Sequence, residues 1–204
     1  MSDAPKPQPS DGVLAGPRGL PKSVDAYRNI KLVVFDVDGV LSDGRIVLDA
    51  NGVESKFFDV RDGSGISIMR KVGYMIAFLT GRNSPVVDVR ARELHIPPSR
   101  VRQGAKVKLP VFKEMLMEAG VTAAETVYIG DDVIDRPVLE YTGIACCPGD
   151  AHDEAREVCH LVATARGGRG AARQLVEHLL KTRQDGTWET ARGRYLGQID
   201  GGPA

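Results

Sequence analysis

Residues 31–44 read KLVVFDVDGVLSDG, apolar without a break from Leu32 to Phe35 and then carrying two carboxylates, Asp36 and Asp38, one residue apart. An apolar run without polar alternation predicts a strand buried on both faces, the kind found in helix-covered parallel sheets. Similar runs recur at 74–79 (YMIAFL), 126–129 (TVYI), 143–146 (GIAC) and 161–163 (LVA). Helical patterns fall between them. Residues 84–94 open on Ser84-Pro85, a cap and first-turn pair. Residues 108–119 place Val111, Phe112, Met115, Leu116 and Ala119 at helical spacing and stop at Gly120. Residues 132–141 and 170–181 complete the set. This alternation predicts an α/β fold, a three-layer Rossmann-like architecture with a mainly parallel sheet and ligands at the carboxyl ends of its strands. One insertion breaks the rhythm. Residues 45–48 and 53–58 flank Asp49-Ala50-Asn51-Gly52, and Asn-Gly between β-rich runs predicts a β-hairpin after the first strand.

The 204 residues carry 27 basic and 27 acidic side chains, so the formal charge is zero. A neutral chain lacks the basic surplus that nucleic-acid and anionic-membrane binders need. No apolar run approaches the roughly 20 residues of a membrane span. The opening MSDAPKPQPSDG has no basic-then-apolar order, so no secretory signal is read there and a cytoplasmic location is expected. Cys146, Cys147 and Cys159 have neither metal spacing nor an even count, and are expected reduced and buried. The four histidines are scattered without ligand spacing. Five prolines within residues 1–28 predict a disordered arm, and residues 183–204 a flexible tail, although Trp188 and Tyr195 give that tail something to dock with. One domain, 29–182, is expected between them.

Polar residues of matching kind follow three of the strands. Asp36-Val37-Asp38-Gly39 follows the first, Thr80-Gly81-Arg82 the second, and Gly130-Asp131-Asp132 the third, with Asp135 shortly after. If those strands are neighbours, the tips converge, and Lys108 reaches them from a helix start. Carboxylates crowded into one crevice repel by about 4 kcal/mol per pair at 4 Å and an effective dielectric near 20. A hard divalent cation relieves that repulsion, and oxygen ligands with water and phosphate suit Mg²⁺. Thr80, the backbone N–H groups near Gly81, and Lys108 can hold phosphate oxygens. Asp36 can then attack phosphorus, and Asp38 can serve as general acid and base. The expected chemistry is phosphate-monoester hydrolysis.

FDVDGVLSDG (35–44), LTGR (79–82), the lysine of QGAKVK (Lys108) and GDDVID (130–135) resemble the four motifs of the haloacid dehalogenase-like hydrolase superfamily. More narrowly, VRDGSGI (60–66), the RQG before the lysine, and GGRGAAR (167–173) look like its branch of 3-deoxy-D-manno-octulosonate 8-phosphate phosphatases. The resemblance implies a domain without a large cap, and a homotetramer whose hairpin and neighbouring tail help close the site. It makes Asp36 nucleophile and metal ligand, Asp38 acid/base and ligand through its carbonyl, and Asp131 the third ligand, with Asp132 and Asp135 in support. Thr80, Gly81 and Lys108 would take the phosphoryl group. Asp59, Val60, Arg61, Asp62, Gly63, Arg82 and Arg90 would meet a sugar acid, whose carboxylate suits guanidinium groups. The chain departs from that pattern at Ser67, where the resemblance leads one to expect Arg, and at Asp59, where it leads one to expect Asn. A nine-carbon sugar acid phosphate is the alternative substrate. A phospho-accepting receiver domain and an inactive scaffold are the remaining alternatives; the order of the aspartates argues against the receiver.

Overall fold

The structure, a computed structural model, describes residues 12–198. Nine strands form among them: β1 (Val13–Ala15), β2 (Leu32–Phe35), β3 (Val47–Leu48), β4 (Glu54–Ser55), β5 (Met75–Leu79), β6 (Val101–Arg102), β7 (Thr126–Ile129), β8 (Ile144–Cys147) and β9 (Leu161–Ala163). Seven make one sheet in the order β1-β9-β8-β7-β2-β5-β6, parallel except for the antiparallel edge strand β1. The KLVVF run lies at its centre. Phe35 is level with Phe78 of β5 on one side and with Ile129 of β7 on the other. The residues that follow these three strands therefore emerge on one edge.

Each central strand feeds two cores, because successive side chains point to opposite faces. Val33 and Phe35 join Ile76, Phe78, Val127 and Ile129 on one face, while Leu32 and Val34 join Ala77, Leu79 and Tyr128 on the other. The first face is covered by α2 (Val60–Arg70), α3 (Pro85–Glu93) and α7 (Ala171–Thr182), the second by α4 (Lys108–Ala119) and α5 (Arg136–Tyr141). A one-residue slip of β2 would send each side chain to the wrong core, so its register, and with it the position of Asp36, is firmly set. Burial of each such Val or Phe contributes about 1.5–3 kcal/mol. Helix α4 ends as its sequence suggests, on Gly120 in the left-handed conformation (φ 66°). The three cysteines are free and buried.

Several expectations are corrected. Residues 12–28 are not a disordered arm: β1 pairs with β9, and α1 (Val24–Arg28) buries Val24 and Tyr27. Prolines 17 and 21 fall between these two elements, and few apolar side chains suffice to dock the segment. The tail is likewise ordered up to residue 198. Its helix α8 (Thr187–Tyr195) packs on α2 and α7 of its own chain. Trp188 meets the core beneath the Lys181 ammonium, 4.9 Å from its ring centre, and the Tyr195 hydroxyl donates to Ser64 Oγ at 3.0 Å. Expectations for residues 1–11 and 199–204 lie outside the described residues. The hairpin has only two paired residues per strand, with Val47 opposite Ser55 and Leu48 opposite Glu54. Residues 132–141 divide into a 3₁₀ turn at Val133–Asp135 and α5, because Asp132 caps the turn.

Candidate active site

Asp36, one step past the end of β2, is 4% exposed. Its Oδ1 accepts from the Val37 N–H at 2.6 Å and its Oδ2 from Lys108 Nζ at 2.7 Å. Lys108 stands at the start of α4 and divides its ammonium between Asp36 and Asp135 Oδ1, the latter at 2.6 Å. Asp135 is saturated. Tyr128 and Lys108 donate to one of its oxygens, and the N–H groups of Asp131 and Asp132 donate to the other at 3.1 Å each. It thereby shapes the loop after β7 so that Asp131 faces Asp36.

Oxygens of Asp36, Asp131 and Asp135 lie within 4.8 Å of one another. Burial, and then the Asp135 charge, push the Asp36 carboxyl up to about 7 in spite of Lys108. Asp131 is pushed up to about 8 by burial and then by Asp36 and Asp135. Burial works against the Lys108 ammonium, but the two carboxylates hold its pKa above the usual lysine value. One cation for three acids leaves the cluster short of positive charge.

The donor set fits a hard divalent ion. Asp131 Oδ1 is buried without a hydrogen-bond partner, a costly state for a carboxylate oxygen unless a cation meets it. Gly39 (φ 86°) lets the loop after β2 lie against Asp131; a Cβ there would sit 1.9 Å from Asp131 Oδ2. All the candidate ligands are oxygens, as Mg²⁺ prefers.

Around the carboxylates lies a crevice of about 360 Å³, walled by Asp38, Thr80, Gly81, Arg82, Lys106 and Asp132 among others. Thr80 is buried, its N–H donating to the Arg102 carbonyl, with its hydroxyl 3.4 Å from the Arg82 N–H. The Asp38 side chain takes no part in the carboxylate cluster. Its Oδ1 accepts from Lys56 Nζ at 2.5 Å and from Ser42 Oγ at 3.2 Å.

The sugar-acid residues expected from the resemblance are only partly gathered. Arg82 reaches the crevice, where its Nη2 pairs with Glu54 at 2.8 Å. Asp59, Val60, Arg61, Asp62, Gly63 and Arg90 are not among its walls. Asp59 is the N-cap of α2, a use that Asn or Asp serves alike, and its charge also pairs with Arg61, which an Asn could not do. Asp62 is turned away from solvent and accepts from the N–H groups of Gly170 and Arg173 at the start of α7. It is a cap joining two helices within this chain, not an open ligand. The Arg90 guanidinium lies 5.3 Å from the centre of the Phe58 ring, and Gly63 gives it room. Val60 is 80% exposed.

Sequence reading missed Lys56, Glu54 and Lys106. The first two had a legible signal: one residue apart in the β-rich run 53–58, they share a face, while Val53 and Phe57 stay exposed. Lys106 had none, being one lysine of two near the start of α4.

No family model matches the chain. It is 38% identical over 168 residues to the 3-deoxy-D-manno-octulosonate 8-phosphate phosphatase of Escherichia coli (strain K12), covering 82% of this chain and 87% of that protein. A solved structure of the Moraxella catarrhalis phosphatase, in complex with magnesium ion, phosphate ion and KDO, superposes with a TM-score of 0.79 at 33% identity, over 84% of this chain and 97% of that one. The cobalt-bound Haemophilus influenzae phosphatase gives 0.76 at 36% identity, over 83% and 98%.

Proposed function

Because the chain belongs to the haloacid dehalogenase-like hydrolases, in the branch of the 3-deoxy-D-manno-octulosonate 8-phosphate phosphatases, we propose that it is a Mg²⁺-dependent phosphatase of that eight-carbon sugar acid phosphate. The observation that carries the reading is the convergence of Asp36, Asp131 and Lys108 on one sheet edge in a chain this similar to those enzymes. Asp36 and Asp131, with the Asp38 carbonyl and with Asp132 and Asp135 in support, would hold the ion, which when bound would supply charge neutralisation and orientation for the phosphate.

Asp36 attacks phosphorus and becomes an aspartyl phosphate while the ester oxygen leaves with the bonding pair. Asp38 gives that oxygen its proton and later accepts one from the water that opens the acyl phosphate. Thr80, Gly81 and Lys108 bind the phosphoryl oxygens; the Lys108 ammonium already lies 2.7 Å from the attacking carboxylate. Arg82 faces the crevice and suits a substrate carboxylate. For Asp59, Val60, Arg61, Gly63 and Arg90, which lie off the crevice of their own chain, a role in sugar-acid binding requires a neighbouring subunit's crevice, while Asp62 would hold that segment in place through its cap on α7.

A homotetramer would provide that arrangement. Ile46, Leu48, Val53 and Phe57 leave the hairpin with more than half of each side chain exposed, an apolar surface that a second copy would cover. No helix among the described residues is long and apolar enough to cross a membrane, which agrees with a cytoplasmic enzyme.

The test is phosphate release across a panel of sugar acid phosphates, with Mg²⁺ and with chelator. The eight-carbon acid should be preferred, and release should cease with chelator or in Asp36→Asn, a loss of at least about 10³-fold. Preference for a nine-carbon acid would move the substrate and keep the chemistry. Turnover surviving both chelator and Asp36→Asn would end the proposal.

A further inference from the structure

The hairpin places a buried ammonium against the catalytic acid. Lys56, just past β4, has a side chain only 1% exposed, and its Nζ lies 2.5 Å from Asp38 Oδ1 and 3.3 Å from Glu54 Oε1. Glu54 in turn accepts from Arg82 Nη2. A lysine with its stem and charge both withdrawn from water gives up hydration and side-chain freedom, costs that a surface ion pair of ordinary worth would not offset. The arrangement also treats the two Asp38 oxygens differently. Oδ1 is gripped by Lys56 and Ser42, whereas Oδ2 is buried with no hydrogen-bond partner. Facing it at 3.9 Å is Arg82 Nε, also buried and also without a partner. The separation is too long for a hydrogen bond, and both residues line the crevice.

We propose that Lys56 is a positioning residue: it pins Asp38 by one oxygen so that the other, Oδ2, is the atom that delivers the proton to the leaving oxygen. Arg82 Nε is the second donor to that oxygen. The proposal rests on the reading of Asp38 as acid and base. In the step concerned, a carboxylate oxygen of Asp36 forms a bond to phosphorus. The ester P–O bond breaks with its electron pair on the leaving oxygen, and the Asp38 Oδ2 proton moves to that oxygen. The hairpin, which follows the first aspartate motif in the chain, thus sets the geometry of the acid.

Leaving-group dependence tests this. An alkyl phosphate needs its leaving oxygen protonated; p-nitrophenyl phosphate, whose leaving group is a stable anion, does not. Single-turnover release from the sugar acid phosphate and from p-nitrophenyl phosphate would be measured with enzyme in excess for wild type, Lys56→Met, Lys56→Arg and Asp38→Asn. Lys56→Met should slow the alkyl ester by roughly tenfold to a hundredfold, a fraction of a full acid–base contribution. It should slow the aryl ester less than about threefold, leave KM within about threefold, and be partly rescued in Lys56→Arg. Equal losses on both esters would make Lys56 merely structural, and no loss on either would remove it from the reaction. If Lys56→Met does not fold, Lys56→Gln answers the same comparison. Should Asp38→Asn itself show no leaving-group dependence, the reading of Asp38 fails and this proposal with it. Dependence in Asp38→Asn but not in the Lys56 variants overturns the Lys56 assignment alone.

Discussion

Asp131 illustrates how a single side chain would tie stability to the proposed metal. Its carboxyl, pushed up to about 8 by burial and its acidic neighbours, binds a proton in the folded chain that the unfolded chain would have released. The stability this supplies is complete below the ordinary carboxylate pKa and is lost as pH rises through about 8. Asp36, pushed up to about 7, acts in the same direction. Metal-free protein should therefore lose stability as pH rises from about 4 to about 8. Mg²⁺ competes for the same oxygens, so it should raise the melting temperature more at the higher pH. At about a hundredfold excess over its dissociation constant the gain is roughly 2.7 kcal/mol, on the order of 5–10 °C for a chain of this size. Thermal melts with Mg²⁺ and with chelator at the two pH values check this. Asp131→Asn should flatten both dependences, and a Mg²⁺ shift that ignores pH, or survives that substitution, would contradict the assignment.

Loops and short strands carry the site, and their close approaches set what they tolerate. Gly39 needs its positive φ, and its Cα faces the Asp131 carboxylate at a distance no Cβ could share. Gly39→Ala should abolish turnover and Mg²⁺-dependent stabilisation together, because the loop after β2 must retreat from the loop after β7. Circular dichroism should still report a folded sheet, with stability lower by roughly 1–3 kcal/mol. An alanine variant with wild-type kcat would show that the two loops need not touch. Helix α2 shows why one element escaped the sequence. Its run VRDGSGISIMR contains two glycines and no apolar stripe, so neither propensity nor periodicity marks it. The glycines belong to packing. A Cβ at Gly63 would strike the Arg90 guanidinium, and one at Gly65 would press on the Arg173 backbone of α7. Only the partners across the interface make that stretch helical.

Across the whole molecule, the neutral charge hides an uneven surface. The hairpin leaves Phe57 66% exposed and Val53 62%, beside a crevice that Arg82 alone of the residues proposed for the sugar acid reaches from its own chain. An assembly in which copies cover one another's hairpins accounts for both. If the proposed homotetramer forms through this face, Phe57→Asp should shift the protein to smaller species in sedimentation or light scattering. It should also raise KM for the sugar acid phosphate roughly tenfold while leaving single-chain melting within about 1 kcal/mol, since an exposed side chain holds no core. An unchanged mass would show that another surface makes the assembly, or that none forms. As for legibility, the apolar strands, the mainly parallel sheet and the carboxylate-bearing strand ends could be read from residue order, but which strands lie side by side could not. Unbroken apolar runs have only one stable home, between two helical layers, and chain continuity forces the residues after them to one edge. The placements of Asp62 on α7 and of α8 on α2 had no such local cause. Each joins segments far apart in the chain, and is fixed by which surfaces meet once the sheet has formed. Local pattern decides what a segment becomes; only the packed whole decides which charge a distant side chain will hold.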